Sequence, residues 1–165
     1  MLLLASMALL HDRRDLLHLL FNVLALFSLG PWVERALGLP RFARLFAVST
    51  LAGSLAFVVV RYAMGSPDVM AIGASGAVVG VLTAFALTFP RAELRLFGLA
   101  PMQASNLIWL MLGLDAVMVA FGSNVAVSVH LGGMAGAFAY MRRPWRPEYV
   151  RDVRRRLRLL RSRLS

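Results

Sequence analysis

Five stretches of this chain contain no Asp, Glu or Arg: 16–33, 45–60, 69–90, 96–114 and 116–141. A bilayer core about 30 Å thick takes about 20 apolar residues per crossing helix. Such a medium admits only helices or closed barrels, because every backbone N–H and C=O must be bonded internally. The last two runs are parted by Asp115 alone and divide best at Gly122-Ser123-Asn124, a turn-forming cluster. Breaks at Gly30-Pro31, Gly38-Leu39-Pro40, Gly65-Ser66-Pro67 and Pro90 set the other limits. The pattern predicts an all-α polytopic membrane helix bundle with five helices, at about 16–36, 42–63, 74–89, 104–121 and 125–141. Met1–Leu10 is apolar but too short to span, and is expected to be an interfacial loop segment.

Composition excludes the competing classes. Of 165 residues, 59% are hydrophobic and 16% charged, against about 45–50% and about 25% in soluble domains. A soluble fold of this size cannot bury that much apolar surface behind a charged exterior. Disordered and collagen-like readings fail on the same numbers. Cys is absent, which removes disulfides and thiolate metal sites.

The net charge of +10 is a property of the tail. Residues 142–165 carry ten Arg against Glu148 and Asp152, whereas 1–141 carry eight Arg against six acids. With the amino terminus outside, only Arg13, Arg14 and Arg61 face outward and the other fifteen Arg face inward. The positive-inside rule therefore predicts the amino terminus out and the carboxyl terminus in the cytoplasm. The tail repeats Val150, Val153, Leu157, Leu160 and Leu164 at helical spacing among Arg. It reads as an amphipathic helix on an anionic leaflet, with anionic lipid as partner; nucleic acid is not expected. The chain divides into a membrane domain, 1–141, and this basic tail, 142–165.

Polar side chains inside spans are costly and mark candidate sites. Four stand out: His18, Asn22, Ser75 and His130. His18 and Asn22 share a helix face at i and i+4. Ser75 opens a helix, and His130 lies about six residues, roughly 9 Å, into another. With the predicted topology all four fall in the outer half of the membrane. Ser75 sits in Gly73-Ala74-Ser75-Gly76, where the glycines expose the hydroxyl and the helix start offers free N–H groups for an oxyanion. A serine nucleophile needs a base, and His130 can serve. Gly76, Gly80 and Ala84 on one helix, and Gly133 and Ala137 on another, form small-xxx-small faces that bring membrane helices into close contact. Singly, each polar residue is as readily explained by packing or interhelical glue; their common depth favours a site. Asp115, the one carboxylate deep in a span, is expected to bond Ser, Thr or Tyr on a neighbouring helix or to be protonated. Its distance in sequence from His130 argues against a role there. His11, Asp12 and Asp15 form a loop cluster too sparse to suggest a metal.

These residues resemble the motifs of the rhomboid intramembrane serine proteases. His18-Leu-Leu-Phe-Asn22 looks like the family's His-x-x-x-Asn motif. Gly73-Ala-Ser75-Gly76-Ala-Val-Val-Gly80 looks like its nucleophile motif, and Val129-His130-Leu-Gly-Gly133 like its general-base motif. Gly30–Gly38 is similar to the connection between the family's second and third helices. The resemblance implies a Ser75–His130 dyad without a third carboxylate, an oxyanion hole of His18 and Asn22, and no metal or organic cofactor. It also implies packing roles for Gly73, Gly76, Gly80, Gly133 and Ala137, the last being Gly in most of the family. Single-span membrane proteins in a bacterial inner membrane would be the substrates. The family core has six helices and this sequence reads as five, so the first helix and most of its following loop are expected before residue 1. The alternative is a non-proteolytic rhomboid-like membrane-protein binder or chaperone. A transporter subunit is disfavoured, as neither paired charges nor an inverted repeat is visible.

Overall fold

The computed structural model describes residues 16–65, 74–94, 101–120 and 124–142, and positions 155, 159 and 162 of the tail. Five helices account for nearly all of it: α1 (Leu16–Leu37), α2 (Leu39–Ala63), α3 (Ser75–Thr88), α4 (Asn106–Ala120) and α5 (Asn124–Met141). Their limits fall within about three residues of the sequence expectation. A short antiparallel pairing of β1 (Glu93–Leu94) with β2 (Met102–Gln103), absent from the sequence reading, precedes α4. Helix α1 runs through Pro31, as the expected span of 16–36 requires, although Gly30-Pro31 was also read as a break. Proline costs one helical hydrogen bond, whereas ending the helix in an apolar medium strands several backbone groups. Leu29 before it and Val33, Ala36 and Leu37 after it are all buried in the core, which holds both halves in line.

The true break is Gly38. Its φ of 81° lies in the left-handed region that favours glycine. Its N–H donates to the Glu34 carbonyl (2.6 Å), and its own carbonyl accepts from Arg41 and Phe42 at 3.1 and 3.0 Å. Leu39-Pro40 then starts α2, with proline in the first turn where its missing N–H costs nothing. The chain thus reverses within one residue.

The bundle is inside-out by soluble standards. Large apolar side chains point outward, among them Phe27, Leu51, Leu55, Val59, Tyr62 and Trp109. Small residues fill the centre. A Cβ on Gly53 (α2) would lie 2.8 Å from the Val129 carbonyl oxygen of α5. One on Gly132 would lie 2.5 Å from the Ala52 carbonyl oxygen, and one on Gly136 2.7 Å from the Ala52 Cβ. On Gly133 it would collide with the Gly76 carbonyl, and on Gly80 with the Ser49 side chain. These contacts fix directions: α2 runs antiparallel to α3 (53 with 76, 49 with 80) and to α5 (56 with 132, 48 with 136), while α3 and α5 are parallel (76 with 129, 80 with 133). Backbone-to-backbone approach at small residues is how helices associate where lipid tails are as apolar as leucine.

Among the described residues, α2 is the one helix long and apolar enough to cross a membrane by length and composition; α3 is apolar but shorter. The five expected crossings are therefore unequal, because α3 and α4 have only 14 and 15 residues. At the Gly38 end of the bundle the core is bulky: Leu37, Leu45, Val81, Phe85, Leu107 and Tyr140. Trp32 sets its edge on Phe89 there, ring centroids 6.2 Å apart. Arg35, Arg44 and Arg91 are exposed around this same end.

The seam yields a paired stability test. Gly133→Ala should lower the unfolding midpoint in detergent, followed by tryptophan fluorescence, since overpacking costs about 1–3 kcal/mol. Gly113→Ala, where an added Cβ meets nothing within 4 Å, should leave it equal or higher, since alanine gains roughly 0.5–1 kcal/mol in a helix interior. Equal responses would remove the seam as the limiting contact.

Candidate active site

At the end of the bundle away from Gly38 the buried residues turn polar. Helices α1, α3 and α5 begin at this end, and α2 and α4 finish there. Ser75 is 7% exposed and His130 6%. Asn22 and Asp115 are buried with them, as is Ser128. Of the remaining buried hydroxyls, Thr83 is accounted for by its bond to the Val79 carbonyl (2.8 Å).

Ser75 is the first residue of α3, and its neighbour Gly76 is where α5 comes closest. A Cβ on Gly76 would lie 3.2 Å from Val129 Cγ1 and 3.4 Å from the Val129 carbonyl oxygen. Val129 precedes His130, and Gly133, one turn later, lies on the Gly76 backbone. Ser75 and His130 are thus each one residue from the same backbone contact, at one level on adjacent parallel helices.

Helix α3 begins without a side-chain cap: Ala74 offers none. The first bond of the helix runs from Val78 N–H to the Ala74 carbonyl (2.9 Å), so the preceding N–H groups have no carbonyl within the helix to reach. They carry the positive end of the helix dipole to the Ser75 hydroxyl. The helix is also short. Fourteen residues make about 21 Å, against about 30 Å of hydrocarbon. Its far end is followed by the exposed Arg91.

Asn22 lies on the second turn of α1. Its side-chain nitrogen Nδ2 is buried and has no hydrogen-bond partner among the described residues. A buried amide donor left unpaired costs free energy, and such groups persist where a ligand or a developing charge uses them. His18 lies one turn earlier on the α1 backbone; its side chain lies outside the described residues, as does Gly73. Gly76, Gly80, Gly133 and Ala137 all occupy the seam, with Ala137 fully buried. The amino-terminal loop with His11, Asp12 and Asp15, and nearly all of the tail, also lie outside the described residues.

The sequence reading placed Asp115 elsewhere. In the structure its Oδ1 is 2.7 Å from Nδ1 of His130, and both groups are buried. The expected Ser, Thr or Tyr partner is replaced by the histidine itself, because α4 packs against α5 with positions 115 and 130 facing each other. A lone carboxylate in an apolar helix was the available signal. Sequence reasoning also missed Ser49, Ala52, Gly53 and Ala56, the α2 share of the seam, although their steps of four follow the same small-residue rule.

Together the end of the bundle offers a hydroxyl, an imidazole tied to a carboxylate, an unpaired amide donor and a helix amino terminus, all shielded from bulk water. This is the donor and base set that acyl transfer requires. The Rhomboid domain model matches residues 2–145. The chain is 31% identical over 122 residues to the rhomboid protein YdcA of Bacillus subtilis (strain 168), covering 73% of this chain and 57% of that one. It is 37% identical over 127 residues to Rhomboid protease GluP of the same strain, covering 73% of this chain and 22% of that one. It is 39% identical over 90 residues to Rhomboid protein 1, mitochondrial, of Saccharomyces cerevisiae, covering 52% of this chain and 25% of that one. The chain therefore spans less than two thirds of these relatives' lengths. No solved structure gives a significant match.

The unpaired Asn22 donor makes a stability prediction. Asn22→Leu, nearly isosteric and apolar, should unfold no earlier than the parent in detergent, because it removes a buried group without a partner. A midpoint well below the parent's would show that Asn22 is a structural bond and not a held-open donor.

Proposed function

The chain belongs to the rhomboid family, helical integral membrane proteins, and on that premise we propose that it is an intramembrane serine endopeptidase cleaving transmembrane segments of other proteins. The observation that supports this reading is the contact of Gly76 with Val129, each the chain neighbour of a buried Ser75 or His130 on α3 and α5.

In this mechanism the Ser75 oxygen attacks the carbonyl carbon of the scissile peptide while its proton passes to His130. The carbonyl π pair moves onto the carbonyl oxygen. That oxyanion is met by the Asn22 Nδ2–H, by His18 and by the N–H groups at the start of α3. The intermediate collapses, the C–N bond breaks, and the imidazolium returns its proton to the departing amine. A water then repeats the sequence on the acyl-serine ester, giving up its proton to His130 and freeing the acid. Preorganised donors in a dry site need no reorganisation as the charge develops, which is why they stabilise it well. Substrates would be single-span proteins whose helix unwinds near the outer surface, because an intact helix hides its carbonyls from a nucleophile.

The topology proposed with it is a bacterial inner-membrane protein with its carboxyl terminus in the cytoplasm. Exposed Arg35, Arg44 and Arg91 at the end opposite Ser75 support this orientation. Residues 142–165 would then lie on the anionic cytoplasmic leaflet as a basic amphipathic tail.

Three outcomes are expected from a transmembrane reporter cleaved in proteoliposomes. The parent cuts, whereas Ser75→Ala and His130→Ala do not. Asn22→Ala and His18→Ala each lose roughly 10–1,000-fold in turnover with expression intact, the range for one oxyanion donor. Cleavage by Ser75→Ala at the parent's rate would sink the assignment; reporter binding without cleavage by the parent would favour the non-proteolytic binder. A carboxyl-terminal reporter active only in the cytoplasm should fluoresce, and one active only outside should stay silent.

A further inference from the structure

We propose that Asp115 is a positioning residue for His130, so that this chain carries a Ser-His-Asp triad across α3, α5 and α4 where the resemblance implied a dyad. The inference deepens the proteolytic reading and rests on it. Its basis is the 2.7 Å bond between Asp115 Oδ1 and His130 Nδ1, with both side chains buried.

No feature of α4 itself calls for a carboxylate at 115. The neighbouring Trp109, Leu110, Leu114 and Val117 are apolar and turned outward. A carboxyl group in such surroundings is costly unless paired. The second carboxylate oxygen, Oδ2, is buried with no hydrogen-bond partner among the described residues, so the described bond of this group is the one to His130. The imidazole responds in a defined way. An Nδ1–H donating to Oδ1 fixes the tautomer and leaves Nε2 as the basic nitrogen. When Nε2 takes the Ser75 proton, the resulting imidazolium keeps its Nδ1–H on the carboxylate, which offsets the new charge in a buried site shielded from bulk water. The proton stays on the histidine until it goes to the leaving amine; Asp115 is never protonated in the cycle.

The test uses the full chain in proteoliposomes as parent, Asp115→Asn, Asp115→Glu and Ser75→Ala. Four quantities are read: kcat and KM on the transmembrane reporter, the rate at which a fluorophosphonate labels Ser75, the unfolding midpoint, and imidazole 15N shifts of histidine-labelled protein. The His130 signals are those missing from His130→Gln. The asparagine amide can donate to Nδ1 and so favours the opposite tautomer. Asp115→Asn should therefore lower kcat and labelling roughly 100-fold or more, with KM within about two-fold and the midpoint unchanged. The His130 signals should switch from the Nδ1–H to the Nε2–H tautomer, and Asp115→Glu should restore part of kcat. Parent-like kcat and labelling in Asp115→Asn would overturn the proposal. So would a loss that follows the midpoint downward while the tautomer stays the same. A parent that neither cuts nor labels would overturn the proteolytic reading instead. The spectra then decide for Asp115 alone: Nδ1–H in the parent, switched in Asp115→Asn, supports it, and Nε2–H in the parent refutes it.

Discussion

Everything in this molecule depends on three helix backbones being able to touch. Along the seam of α2, α3 and α5 the residues are Ser49, Ala52 and Gly53 on one helix, Gly76 and Gly80 on the next, and Gly132, Gly133 and Gly136 on the last. In lipid, no apolar surface is gained by pressing leucine on leucine, so attraction comes from close van der Waals packing over many atoms. That requires removing side chains from the crossing. The bulky residues are displaced to the lipid-facing surface, where Leu51, Leu55, Tyr62 and Trp109 stand exposed.

The same seam sets the level of the candidate site. Because Gly76 lies on Val129 and Gly133, the residues beside them, Ser75 and His130, are held at a common level without a hydrogen bond having to hold them there. The two ends of the bundle then divide the work. The Gly38 end packs Leu37, Leu45, Phe85 and Tyr140 into a conventional apolar core, and the opposite end accumulates Asn22, Ser75, Asp115 and His130. An unpaired Asn22 donor and an uncapped α3 start are poor choices for stability and good ones for receiving charge.

Much of this could be read from the residues in order. Uncharged runs bounded by Gly and Pro located all five helices, because hydrocarbon length and backbone hydrogen bonding act over one segment at a time. The i, i+4 relation put His18 and Asn22 on one face, and the small-residue steps on α3 and α5 announced a close crossing. The expected span of 16–36 held through Pro31, whose local preference to break a helix lost to packing on both sides, through Leu29 and Val33. The α2 half of the seam was overlooked because Ser49 and Gly53 gain meaning only when another helix is found against them. The β1–β2 pairing has only two residues on each side, too short for a periodic pattern to reveal.

What the sequence by itself determined is the helical membrane class and the set of helices. Each of these follows from the solvent acting on a local stretch of chain. Only the tertiary structure decided which polar group meets which. Asp115 and His130 are fifteen residues apart on different helices, and whether they face each other or lipid depends on the rotation of α4 against α5. That rotation is set by side-chain packing summed over the whole bundle, a quantity no single segment contains.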